Sequence, residues 1–307
     1  MAIAAAIKST LREALNEFQL PQAAKRVRAA DRQGLPARDP GCAAVIEAGC
    51  RWLGQAQDQS ATNDGGFARD FSLVKGWASS YPETSGYIVP TLIAQAKALG
   101  KPELADRARR CLDWLVSIQF PEGGFQGGKV DKLPRVPVTF NTGQILLGLA
   151  AGAAHLHRAR YLEPMQRAAR WLVETQDADG CWRKHPTPFG GEGEKAYETH
   201  VSWGLFEAAR VSPGEGFGEA GAKQVRWALT KQRPNGWFES NCLDTPEAPL
   251  THTIGYVLRG VVEAHLWSND ADFLQAARRT ADGLIPAIAP DGRLAGRLDA
   301  NWRAGAD

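Results

Sequence analysis

The chain has 307 residues, with 36 Lys and Arg against 34 Asp and Glu and a formal net charge of +2. That near-neutral balance, with no basic stripe interleaved with aromatics, excludes a nucleic-acid-binding surface. No apolar run is long enough to span a bilayer.

Residues 1–40 read as a helical lead. Its first part is Ala-rich, carries Lys8, Arg12, Glu13 and Glu17, and lacks the apolar stretch of a secretory signal. One phrase then returns four times: a helix carrying Trp reaches a Gln and breaks at glycine plus an aromatic. The copies are Trp52-Leu53, Gln57, Gly65-Gly66-Phe67; Trp114-Leu115, Gln119, Gly123-Gly124-Phe125; Trp171-Leu172, Gln176, Gly180-Cys181-Trp182; and Trp227, Gln232, Gly236-Trp237. A decayed fifth copy runs from Asp282-Gly283 to Asp291-Gly292-Arg293. Such spacing marks a repeat architecture and predicts one repeat domain over 41–307.

Four further helical segments alternate with these, at Pro82–Leu99, Thr139–His155, 198–210 and 251–265. They are apolar nearly all round, as in Ile145-Leu146-Leu147-Gly148-Leu149-Ala150, whereas the Arg- and Glu-bearing helices show one apolar stripe. Buried helices ringed by solvent-facing ones describe an all-α fold, an α/α-toroid (barrel) of helical hairpins. Five outer helices face four inner ones, because the sequence reaches Asn301-Trp302-Arg303 where a fifth inner helix is due. Either the segment 2–28 closes the ring or the ring stays open, and an open ring predicts a homo-oligomer. The five cysteines are scattered and form no CxxC pair, which predicts reduced thiols in a cytoplasmic protein.

At the start of each inner helix a polar residue precedes or neighbours Thr: Glu83-Thr84, Asn141-Thr142, Glu198-Thr199 and His252-Thr253. Read as equivalent positions, these converge on the ring axis, where helix N-termini suit anionic or hydroxyl-rich ligands. Asn141 and the threonines fit ordinary helix caps. His is a poor cap, so Glu83, Glu198 and His252 are the expected catalytic groups. The loops at the same end carry Asp64, Arg69, Trp77 and Tyr81, then Arg183, Lys184 and Tyr197, then Trp237. With Tyr87, Asn141 and Tyr256 they are expected to bind substrate, since aromatic platforms beside carboxylates and Arg suit a sugar.

The Trp-Leu, Gln, Gly-aromatic phrase resembles the repeats of squalene–hopene cyclases and of protein prenyltransferase β subunits. The resemblance covers most of 41–296 and implies the toroid fold more than any one chemistry. The acidic cyclase signature DxDD is absent, with Asn269-Asp270-Ala271-Asp272 the nearest string, so polyene cyclisation is not expected. Against the prenyltransferase zinc ligands, Glu198, His200 and His252 fall on matching positions, which implies a possible three-ligand zinc site. Strings such as Ser79-Ser80-Tyr81-Pro82-Glu83-Thr84 also resemble prenyltransferase-repeat proteins associated with bacterial polysaccharide genes.

The expected function is therefore an enzyme acting on a poly- or oligosaccharide substrate, acidic ones included. In a hydrolase, Glu83 and Glu198 would be the carboxylate pair; in a lyase or epimerase, Tyr87, Tyr256 or His252 would remove a proton. Arg69, Arg183 or Lys184 would then neutralise a uronate. The alternatives are a zinc-dependent prenyltransferase-like enzyme and a non-catalytic glycan- or peptide-binding module.

Overall fold

The computed structural model describes residues 15, 18–34, 38–190 and 193–305. Much of the helical lead read at 2–28 lies outside the described residues, as do Gly191 and Glu192 of the glycine-rich loop. The chain divides into two compact units, Met1–Ser80 and Tyr81–Asp307.

In the first unit, α1 (Gln22–Asp31) and α2 (Cys42–Asp58) precede a short antiparallel pair, β1 (Phe71–Ser72) and β2 (Gly76–Trp77). Trp52, Phe71 and Trp77 form a ring cluster with centroids 4.8–6.0 Å apart, and the Trp77 indole donates to Gln59 at 3.1 Å. Asp64 holds the turn between α2 and β1. Its Oδ1 accepts from Ser80 Oγ at 2.6 Å and from the Gly66 amide at 3.1 Å.

The second unit is four helical hairpins of an α/α-toroid. The inner helices are α3 (Pro82–Leu99), α5 (Thr139–His155), α7 (Thr199–Val211) and α9 (Thr251–Ser268). Each packs beside the next and against the outer helix that follows it: α4 (Pro102–Ile118), α6 (Arg158–Thr175), α8 (Phe217–Leu229) or α10 (Ala271–Leu284). The apolar helix α5 is buried along almost its whole length, while α4 buries Leu104, Ala108, Cys111, Leu112 and Leu115 on one stripe. Local chemistry sets the ends. Pro82 and Pro102 start their helices, Asp270 Oδ1 caps α10 through the Asp272 amide, and left-handed Gly100 and Asn269 stop α3 and α9.

The repeated Gln is a clamp between hairpins. Gln119 Nε2 donates to Gly123 O and to Pro164 O of the next outer helix, both at 2.9 Å, and Gln176 Nε2 does the same to Gly180 O and Ala220 O at 3.0 Å. Gln232 reaches Ala276 O at 2.8 Å, and Gln57 holds Gly65 O within the first unit at 2.8 Å. The glycine must be glycine for two reasons. Gly123, Gly180 and Gly236 have φ of 107°, 99° and 85°, and a Cβ there would fall on a backbone carbonyl of the next outer helix.

The inner helices meet backbone to backbone. A Cβ on Gly148 would press on Gly86 O, one on Gly204 on Gly143 O, and one on Gly260 on Thr199 O. Those contacts fix the register of the row: Gly86, Gly143, Thr199 and Gly255 are equivalent. No described helix is long and apolar enough to cross a membrane. All five cysteines are free thiols, with Cys111, Cys181 and Cys242 buried.

Candidate active site

The register corrects the alignment read from sequence. Three residues before the equivalent glycine positions come Glu83, Phe140, Ala196 and His252; one residue after come Tyr87, Gln144, His200 and Tyr256. Glu83 and His252 are therefore true equivalents, whereas Asn141 and Glu198 sit one and two places further along. Sequence similarity hid the shift because Thr recurs beside each. Thr84, Thr142 and Thr253 donate to backbone carbonyls at their helix starts instead of accepting from first-turn amides, and Asn141 makes no cap bond, so the expected caps do not form.

The first turns of the inner helices gather a ring-lined site. Tyr256 lies 4.6 Å from His200, 5.3 Å from His252 and 5.3 Å from Phe140, measured between ring centroids. Phe140 also stacks on His200 at 6.2 Å and meets Tyr197 edge-on at 5.6 Å. Glu83 Oε2 accepts from the Tyr81 hydroxyl at 2.7 Å. Burial, reinforced by the negative charge of Glu83, raises the pKa of Tyr87, Tyr197 and Tyr256 above the ordinary phenol value. The raised values favour the neutral phenol at each of the three.

The two histidines differ. His252 is exposed, and partial desolvation lowers its pKa from 6.5. His200 is buried, and desolvation together with Arg259 brings it down to about 4. Its Nδ1 lies 2.8 Å from Gln144 Oε1, which ties the ring to α5. Below His200, Trp203 packs edge-on at 5.3 Å, and the Arg259 guanidinium covers Trp203 at 3.9 Å. Arg259 is also tied to buried Glu263 at 2.7 Å. Several buried polar atoms on these turns have no hydrogen-bond partner: both amide atoms of Asn141, Gln144 Nε2 and the Tyr197 hydroxyl.

Glu198 adjoins Tyr197 in the chain and acts on its phenol. It is buried, its Oε2 lacks a partner, and desolvation pushes its pKa well above the usual carboxylate value, offset only by Lys195. Its field reaches Cys181, which packs in the core with Ala196, Phe206, Val225 and Ala228. The charges of Glu198 and Glu83 both act on Tyr197. Glu83 thus has a hydroxyl partner, whereas Glu198 is buried with one oxygen unpartnered. The zinc set fails. Among the described residues no three His, Cys, Asp or Glu side chains gather to hold a metal, and His200 Nδ1 is committed to Gln144.

Other expected binding residues have structural work. Arg183 is held by Asp177, Asp179 and Glu194 at 2.6–3.0 Å. Trp237 is buried with Ile254 and Leu298 and meets Trp302 at 5.3 Å. Asp64, Arg69 and Trp77 belong to the first unit, where Arg69 lies 3.8 Å from Asp70. Sequence reading missed Phe140, Gln144, Trp203 and Arg259. Helical spacing could have found two of them, since Trp203 follows His200, and Arg259 follows Tyr256, by three residues on the same face. A cavity of about 1020 Å³ lies towards the other end of the inner helices, lined by Ile93, Leu147, Ala151, Trp203 and Arg210 among others.

Solved structures share this fold at low identity. A sugar epimerase from a ruminal bacterium matches with TM-score 0.64 and 10% identity, over 80% of this chain and 71% of that one. An unsaturated glucuronyl hydrolase specific for heparin matches at 0.64 and 15%, over 82% and 70%. Cellobiose 2-epimerase from Spirochaeta thermophila matches at 0.61 and 14%, over 84% and 72%. No curated protein sequence matches the chain significantly. The model of the squalene-hopene cyclase C-terminal domain matches residues 89–262, from the second turn of α3 into α9. With more than half its length covered by that match, and with the Gln–glycine clamps joining its hairpins, the chain belongs to the squalene-hopene cyclase C-terminal domain family.

Proposed function

We propose that this protein is an enzyme that moves a proton on a saccharide bound at the inner-helix N-termini. The observation that carries the reading is the grouping of Glu83, His200 and His252 around Tyr256, with phenols and amides as hydroxyl partners. The fold neighbours named as sugar epimerases and as a glucuronyl hydrolase support a saccharide as the ligand class. The histidines beside Tyr256 supply groups for acid–base chemistry at a sugar carbon, which favours that reading over two-carboxylate hydrolysis.

In that chemistry His252, neutral near pH 7 and open to solvent, takes the proton. Glu83, oriented by the Tyr81 hydroxyl, places its charge on the phenols of Tyr87 and Tyr256. His200, neutral, accepts from a substrate hydroxyl, while Tyr87 and Tyr256 donate to oxygens that gain charge. The aromatic walls exclude water from one side of the ring.

The test is solvent-deuterium incorporation into mono- and disaccharides, followed by proton NMR with purified protein. Exchange at a sugar carbon is expected in the native protein, reduced about 100-fold or more in Glu83→Gln and in His252→Asn. Unchanged exchange in both variants would refute the assignment.

A further inference from the structure

We propose that the cavity of about 1020 Å³ at the far end of the inner helices binds an alkyl carboxylate, a molecule with one apolar chain and one carboxylate end. All of its lining residues belong to the second unit, and none is Glu83, His200, His252 or Tyr256. A saccharide at the helix starts is neither required nor excluded by such a ligand.

The repeat register explains where the space comes from. The fourth, eighth and eleventh residues after Gly86, Gly143 and Thr199 all line the cavity, so α3, α5 and α7 turn the same stripe towards it. The first layer, Pro90, Leu147 and Trp203, makes the floor, and Trp203 packs edge-on against His200 at 5.3 Å on its other side. In the next two layers α3 and α5 present Ala94, Ala151 and Ala154 beside Lys97, and the side chains those alanines lack are the void. Helix α7 lines the same layers with Glu207 and Arg210, which pair with each other, and Glu207 also accepts from the Trp203 indole at 3.1 Å. The slot therefore has an apolar wall and a neutralised ionic wall. From Leu147 to Ala154 it follows α5 for about 10 Å, the span of an extended chain of about eight carbons.

The mouth carries cations that no carboxylate neutralises. Lys97 stands in the last turn of α3 without a carboxylate partner among the described residues. Arg158 opens α6, the end of a helix that disfavours a cation. Among the described residues its guanidinium bonds only Val211 O, from Nη2 at 2.9 Å, which leaves most of its donor fork unpaired. The other two arginines of the lining are taken: Arg109 pairs with Asp106, and Arg210 pairs with Glu207 and approaches Glu263 at 3.8 Å. Lys97 and His155 also suit the helix ends on which they sit, but that explanation does not extend to Arg158. A carboxylate supplies what the free guanidinium lacks, through parallel N–H bonds, while a methylene chain covers the alanine wall. A volume of this order is usual for a small-molecule site.

The experiment is calorimetric titration at pH 7.5 with butanoate, hexanoate, octanoate and 1-octanol, for the native protein and for the double variant Lys97→Gln, Arg158→Gln. Octanoate is expected to bind at one site per chain, with affinity rising about tenfold for each two carbons from butanoate upwards, as burial of methylenes dictates. In the native protein 1-octanol should bind about tenfold more weakly than octanoate, because it forms no charge-assisted bonds at the mouth. The double variant should bring octanoate down to the level of 1-octanol and leave 1-octanol unchanged. Ala151→Phe fills the slot and should abolish octanoate binding; if that variant does not fold, the comparison of acid with alcohol still decides. No binding of octanoate, affinity independent of chain length, 1-octanol binding as tightly as octanoate in the native protein, or octanoate affinity unmoved in the double variant would each overturn the proposal.

Discussion

Adding one methyl group at two equivalent glycines should have opposite effects. Gly143 and Gly255 occupy the same repeat position, on α5 and α9. A Cβ on Gly143 would lie 2.7 Å from Val201 Cγ1 and 2.8 Å from Val201 Cα, whereas one on Gly255 meets nothing within 4 Å. Either Gly→Ala change gains about 0.8–1 kcal/mol of helix propensity. At Gly143 the methyl overlaps a backbone atom that no rotamer change can move. Overpacking of that kind costs about 1–3 kcal/mol, and an overlap of this depth belongs in the upper half of that range. The net expectation is a loss of about 1–2 kcal/mol for Gly143→Ala and a gain of about 0.5–1 for Gly255→Ala. Urea unfolding followed by far-ultraviolet circular dichroism measures both. The Gly143 variant should also spread α5 from α7 and loosen the His200–Gln144 bond, visible as a raised His200 pKa by NMR. Equal stabilisation by the two substitutions would refute the backbone-contact register on which the site assignment depends.

Folded His200 stays neutral down to about pH 4, whereas the unfolded chain takes up that proton near 6.5. Stability should therefore fall as pH drops from 6.5 to 4, by roughly 3 kcal/mol at most, and His200→Gln should flatten that part of the profile; an unchanged slope in the variant would contradict the assignment. Glu198 has the opposite dependence. Its raised pKa gives stability that is full below 4.5 and lost as pH rises through the folded value. Glu198→Gln should thus equal the native protein near pH 4.5 and exceed it by about 1 kcal/mol or more at pH 8, with proton exchange on sugar retained. Abolished exchange in a folded Glu198→Gln protein would return Glu198 to the active site.

Local chemistry determined the hairpins. The predicted inner segments Pro82–Leu99 and Thr139–His155 coincide with α3 and α5, because apolar periodicity, Pro at helix starts and glycine at turns act within a few residues. The repeated Gln and glycine were legible as a pattern, but their function as clamps was not, since Gln119 and Gln176 bond carbonyls on helices about forty-five residues away. The site was half legible. Glu83, His252, Tyr87 and Tyr256 stand out as polar and aromatic residues spaced four apart on helices otherwise apolar. Which residues face one another depends on how far each inner helix slides along its neighbour, and that is set by backbone contacts at Gly86, Gly143, Thr199 and Gly260. A slip of one or two residues rotates a helix by 100° or 200°. That rotation is why Glu198, aligned by sequence with Glu83, is not its structural equivalent, while Gln144 and His200 are equivalent and meet across the row.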